Sequence, residues 1–144
     1  MKGQLAENNF KSGLACSQAV ALAFKDELNI DEETLSNLML GFGGGIGRQR
    51  LVCGAVSGMV AVISATCAHG KSKVELYKII QDACADFKKE LGSLICADLL
   101  GENQNAKIGN PEERTKEYYK KRPCAEICRI AGDIAERYIK VNKS

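Results

Sequence analysis

Apolar residues recur along the chain with helical period, separated by short polar breaks, and no stretch calls for a β-strand. Phe10, Leu14, Val20, Leu22, Phe24 and Leu28 mark a stripe that predicts a first helix from about Glu7 to Leu28. On that helix Cys16, Val20, Ala23 and Glu27 share a face by the four-then-three spacing, so Cys16 can look inward. Asp31 is an N-cap signal for a second helix, with Glu32 and Glu33 at its positive end. Leu35, Leu38, Met39 and Phe42 give that helix its apolar face. Five glycines (Gly41, Gly43, Gly44, Gly45 and Gly47) then end it, because glycine gives up the most backbone freedom when ordered. From Leu51 to Ala68 the chain carries no charge, which predicts a buried central helix with Cys53 in its first turn. Gly54 and Gly58, continued by Ala61 and Ala65, form a small-residue track that lets a neighbouring helix come close.

Ser72 and Glu75 form a capping box for a fourth helix that Gly92 stops. Val74, Tyr77, Gln81, Cys84, Lys88 and Leu91 follow a heptad-like line on it, with Ile80 and Phe87 adjoining, and Cys84 reads as core. Cys96 falls in a short helical turn, 93–100, followed by a polar loop, 101–110. Asn110, Pro111, Glu112 and Glu113 signal a further helix carrying Tyr118 and Tyr119 and ending in Lys120, Lys121 and Arg122. Pro123 opens the last helix, with Cys124 in its first turn and Ile127, Ala131, Ile134 and Tyr138 on the same face. The sum is an all-α fold, a single-domain bundle of five to six helices over residues 1–144.

Composition narrows the function. A net charge of +2 supplies no field for nucleic acid or acidic lipid, and the few aromatics sit at helical apolar positions. The uncharged run is marginally short for a membrane span and rich in small polar residues, so no stable membrane insertion is expected. The N-terminus shows no apolar secretory core, so a cytoplasmic location is expected. Seven cysteines without an export signal point to redox, metal-binding or buried thiols rather than permanent bridges.

Cys53 is the first candidate for chemistry. Its place at a helix start, with Arg48 and Arg50 nearby in the chain, favours thiolate over thiol. Cys124, after Lys120, Lys121 and Arg122, has the same environment. Gly44, Gly45, Gly47 and Arg48 form a candidate anion- or cofactor-binding loop. It matches neither a Walker loop nor a dinucleotide fingerprint, and a tight helix connection is the preferred reading over a phosphate cradle. His69, the only histidine, reads as an end-of-helix residue beside Gly70 and its free carbonyls, not as a metal or acid–base group.

Three segments carry a family resemblance: Ala15-Cys16-Ser17-Gln18-Ala19-Val20, the loop from Gly41 to Arg48, and Cys53-Gly54-Ala55-Val56-Ser57-Gly58. With Gly92-Ser93-Leu94-Ile95-Cys96 and the C-terminal Cys124, the chain resembles the redox-active proteins named for their C_GCAxxG_C_C cysteine pattern, over about residues 8 to 140. The family's redox role is itself inferred from that pattern, and the resemblance implies a prokaryotic protein. The resemblance implies Cys16, Cys53, Cys96 and Cys124 as the functional thiols, leaving Cys67, Cys84 and Cys128 as extras. Cys128, one turn from Cys124, could resolve a disulfide with it.

The first reading is therefore a cytoplasmic thiol–disulfide redox protein needing no cofactor. Cys53 is its attacking thiolate, Cys16 or Cys124 its resolver, and Arg48 steadies the thiolate or an anionic substrate group. Its partner is a redox protein or a small disulfide or thiol, and the small-residue track can pack within the chain or across a homodimer. The alternative gathers the four cysteines on zinc or an iron–sulfur cluster, although none lies in a Cys-x-x-Cys pair. A third reading is a helical structural protein whose cysteines only fill the core.

Overall fold

A computed structural model describes residues 1–101, 114 and 123–144. The helices are α1 (Lys2–Lys11), α2 (Cys16–Leu22), α3 (Lys25–Leu28), α4 (Glu32–Leu40), α5 (Gly43–Ile46), α6 (Gly54–Cys67), α7 (Lys73–Leu91), α8 (Cys96–Leu100) and α9 (Cys124–Asn142). Among the described residues there is no strand, only an isolated antiparallel bridge between Val52 and Ile95. The fold is an all-α helical bundle. The predicted loop 101–110 and the helix carrying Tyr118 and Tyr119 lie outside the described residues, apart from Gly101 and Arg114.

The predicted first helix, Glu7–Leu28, is instead three helices. Ser12 breaks it by turning its hydroxyl onto the Asn9 carbonyl at 2.7 Å, and Gly13 follows with φ +114°. Cys16 is therefore the first residue of a new helix, where backbone N–H groups are unpaired, and not a mid-helix residue.

Several helices start and stop as their sequence predicts. The Asp31 carboxylate accepts the Thr34 N–H at 2.7 Å at the start of α4, and Ser72 and Glu75 cap α7 reciprocally. Gly92 ends α7 in the left-handed region. The core face of α7, however, lies one residue from the predicted line. Leu76, Ile80, Ala83 and Phe87 turn inward at four-three-four spacing, whereas Val74 and Tyr77 are 79% and 55% exposed. The two lines have the same period, and only contact with α6 and α9 selects between them. Cys84 is half-buried on the edge of that face.

Helix α6 buries Ala55, Val56, Met59, Val62, Ile63 and Cys67 at the centre of the bundle. Helix α2 crosses it over the small-residue track. A Cβ on Gly54 would stand 2.4 Å from Cys16 Sγ, and one on Gly58 2.9 Å from the Ser17 carbonyl oxygen. Ala65 is exposed, so the track ends before the last turns of α6. Helix α9 meets α1 in the same way. A Cβ on Gly132 would lie 2.9 Å from Gly3 Cα, and the Gly3 N–H donates to Asp133 at 3.1 Å.

The Gly54 contact leads to a direct measurement. Gly54→Ala should lower unfolding stability by about 1–3 kcal/mol, as overpacking does, whereas Gly41→Ala, with open space around it, should stay within about 0.5 kcal/mol. Urea midpoints for the two variants read this, and equal midpoints would mean that α2 and α6 are not so closely apposed.

Candidate functional site

Helix α2 is clamped by the two residues after Cys16. Ser17 Oγ donates to the Met39 carbonyl at 2.7 Å. Gln18 accepts the Ala15 N–H at 2.9 Å and donates to the Ser36 carbonyl and hydroxyl at 3.1 and 2.9 Å. The first turn of α2 is thus fixed to α4. Cys53 is the N-cap of α6, one position before the predicted first turn. Its N–H donates to the Leu94 carbonyl at 2.9 Å, and the Cys96 N–H donates to the Leu51 carbonyl at 2.6 Å. These bonds flank the Val52–Ile95 bridge, where alternate side chains share a face, so Cys53 and Cys96 project to the same side. Cys124 opens α9.

The four cysteines line one cavity of about 240 Å³ without closing around a single point. Cys16, Cys53, Cys96 and Cys124 line it together with Arg48, Arg50 and Arg114, and Phe10, Leu40, Leu99, Leu100 and Ile127 form its apolar walls. Arg50 Nη1 donates to Cys96 Sγ at 3.5 Å, while Arg50 Nε is buried without a hydrogen-bond partner. Arg114 stacks over Phe10, 4.2 Å from the ring centroid, and donates to the Phe10 carbonyl at 2.7 Å. All seven cysteines are thiols rather than disulfides.

The thiols are electrostatically unequal. The Cys53 thiol donates to the Cys16 sulfur and lowers its pKa to about 6. Burial works against this, while the Gly44 and Ser17 N–H groups and the charge of Arg114 add to it. Cys53 moves the other way, well above the ordinary thiol value, because it holds the shared proton, is buried, and faces the Cys16 charge. Of the two, the lowered pKa falls on Cys16 and not on Cys53, which the sequence singled out. Both cysteines begin helices, but Cys16 also receives an amide from the glycine loop and the field of a distant arginine.

The loop itself is a left-handed turn. Gly44, Gly45, Ile46, Gly47 and Arg48 all have positive φ, as does Arg50. The N–H groups of Gly47, Arg48, Arg50 and Leu51 donate to the carbonyls of Gly41, Gly43, Gly44 and Gly45 at 2.8–3.1 Å. Those amides are taken, so the loop is not built as a phosphate cradle. Gly44, Gly47 and Arg48 line the cavity, and Gly45 lies buried at the loop's base, where a Cβ would meet Leu51 N at 2.6 Å. What the loop offers is the Gly44 amide, given to Cys16, and the two arginine side chains.

The remaining cysteines lie apart from the cavity. Cys67 is fully buried in α6. Cys128 is fully buried, with its thiol directed to the Cys16 carbonyl at 3.9 Å, and burial first, then the Cys16 and Cys124 charges, push its pKa well up. His69 is exposed, and the α6 carbonyl end is met by other groups: Lys71 Nζ and Ser144 Oγ donate to the Cys67 carbonyl at 2.8 and 3.1 Å. Among the described residues no three of His, Cys, Asp or Glu are placed to hold a metal ion, and no helix is long and apolar enough to cross a membrane.

Sequence reasoning missed Ser17, Gln18 and Arg114. Gln18 was readable, since a Gln three residues after a helix start is half of a capping box. Arg114 reaches the site from a distant segment, and no local pattern marks it.

Four cysteines and three arginines thus line one cavity of an all-α bundle. The chain belongs to the family described as "Putative redox-active protein (C_GCAxxG_C_C)", whose model matches residues 14–138. A relative from Archaeoglobus fulgidus named "Uncharacterized protein" is 28% identical over 141 residues, covering 90% of this chain and 87% of its own. No solved structure matches the chain.

Alkylation tests the charge assignment. The rate at Cys16 should rise with pH to a plateau with its midpoint near 6, while Cys53 stays unmodified. Cys53→Ala removes the donor and should move that midpoint up by about one to two pH units, the worth of one hydrogen bond to a charge. An unmoved midpoint would remove Cys53 from the account.

Proposed function

We propose that this is a cytoplasmic thiol–disulfide exchange protein in which Cys16 attacks and Cys53 resolves, with Cys96 and Cys124 in the same exchange site. The observation that carries this reading is geometric: the half-buried Cys16 sulfur fills the space beside Gly54, next to Cys53 in the chain, and both cysteines line one cavity. A thiolate with a midpoint just below neutral pH is ionised in use yet keeps much of its nucleophilicity, which suits attack on a disulfide.

The chemistry balances without a cofactor. The Cys16 thiolate forms a bond to one sulfur of the substrate disulfide, whose S–S bond breaks and releases a thiolate. That thiolate takes the Cys53 proton and leaves as a thiol. The Cys53 thiolate then attacks the Cys16 sulfur, forms the Cys16–Cys53 bridge and releases the second thiolate. The substrate disulfide is reduced and the dithiol oxidised, and a thiol donor returns the protein to its starting state. The metal or iron–sulfur alternative has less support, because the described ligand groups do not close around one point.

Trapping tests the order of events. With a small disulfide, Cys53→Ser should accumulate a mixed disulfide on Cys16, whereas the wild-type chain should proceed to an internal Cys16–Cys53 bridge, both read by peptide mass mapping. Adducts spread evenly over all the thiols, or a bridge between another pair, would sink the assignment.

A further inference from the structure

Among the described residues the buried polar side chains are Ser17 and Gln18, and both follow Cys16 directly. A buried polar group costs free energy unless it is hydrogen-bonded, and both are bonded. Capping α2 needs only one of these bonds, the Ala15 N–H given to Gln18 Oε1 at 2.9 Å. The others run outward to α4. Gln18 Nε2 donates to the Ser36 carbonyl and hydroxyl at 3.1 and 2.9 Å, and Ser17 Oγ donates to the Met39 carbonyl at 2.7 Å. Helix α4 ends at Leu40 and passes through Gly41 and Phe42 into α5, whose Gly44 N–H reaches the Cys16 sulfur. In the same turn Gly43 packs on Ala15, where an added Cβ would stand 2.8 Å from the Ala15 Cβ. Cys16 thus receives one amide from its own helix, that of Ser17, and one from a loop attached to α4. The distance to the second depends on how α2 is registered against α4, and Gln18 holds that register with both ends of its amide.

We propose that Gln18 is a positioning residue for the attacking sulfur, setting the register of Cys16 against the glycine loop through its bonds to α4. The proposal rests on the thiol-exchange reading above. Without those bonds the first turn of α2 can slide along α4, and the contact between the Gly44 N–H and the sulfur lengthens. The anionic sulfur then loses a donor. Donors to the charged form favour it, so the midpoint of Cys16 ionisation moves up when one is lost.

The test uses the reduced full-length protein and two readouts: the pH midpoint of Cys16 alkylation by iodoacetamide, read by peptide mass mapping, and the urea unfolding midpoint. Gln18→Met keeps the length of the side chain and removes its hydrogen bonds. Its Cys16 midpoint should rise by about one pH unit, a tenfold change in the ionisation constant. Ser36→Ala removes one partner on α4 without touching α2, and should move the Cys16 midpoint the same way by less. Should Gln18→Met fail to fold, Ser36→Ala carries the test alone. Asn9→Leu is the control for stability, because the Asn9 amide donates to the Ala19 carbonyl at 3.1 Å and holds α2 further along. It should lower the urea midpoint and leave the Cys16 midpoint in place. A Cys16 midpoint that the Gln18 and Ser36 variants leave unmoved, or that Asn9→Leu moves equally, overturns the positioning role while leaving thiol exchange standing. A wild-type chain whose Cys16 does not react with bis(2-hydroxyethyl) disulfide at all overturns thiol exchange and this proposal with it.

Discussion

The site depends on how closely α2 approaches α6. Gly54 has no side chain, and the space a Cβ would fill is occupied by the Cys16 sulfur. That contact brings the sulfur to Cys53 and lets two thiols share one proton. A buried charge alone would cost several kcal/mol, and burial does push Cys16 toward the thiol form. Against this stand the Cys53 thiol and two backbone amides, each worth about 1.5–3 kcal/mol as a hydrogen bond to a charged group. Together these outweigh desolvation in direction, and the Cys16 pKa is lowered although the residue is half-buried.

The left-handed loop is the second constraint, and it is strained. A non-glycine residue at positive φ costs about 1–2 kcal/mol, and Ile46, branched at Cβ, is a poor choice for it. The loop's backbone hydrogen bonds, four of them from Gly47, Arg48, Arg50 and Leu51, offset that cost. Glycine at positions 44, 45 and 47 confines the strain to Ile46, Arg48 and Arg50. In return the turn reverses the chain within a few residues. It lays Gly43 against Ala15, gives the Gly44 amide to Cys16, and carries two arginines to the cavity wall. Strain held in place by surrounding structure is common where geometry serves function.

Local signals in the sequence were reliable and non-local ones were not. Asp31, Ser72 with Glu75, Gly92 and Pro123 mark helix ends by chemistry confined to four or five residues, and the structure follows them. Ser12-Gly13 carried a break signal of the same kind, but the apolar stripe running through it hid the break. The core face of α7 was misplaced because two lines of equal period differ only in what they touch. The opposite pKa directions of Cys16 and Cys53 have the same origin. Each starts a helix, and what separates them is first their interaction with each other, then an amide from Gly44 and the charge of Arg114, none of which is near Cys16 in the chain.

Net charge was the least informative number, because it averages over a segregated distribution. Among the described residues, acids pair with bases on the outside of the bundle: Glu27 with Lys2, Glu7 with Lys11, Glu32 with Lys25, Asp82 with Lys78, and Asp133 with Arg129. None of them lines the cavity. Exposed pairs of this kind add little stability, about 0–1 kcal/mol each. Their placement still matters, since a charge acts on the groups near it and not on the molecule as a whole. A chain nearly neutral overall can thus place one charge where it favours ionisation of one thiol, as Arg114 does for Cys16, and a whole-molecule count cannot register that.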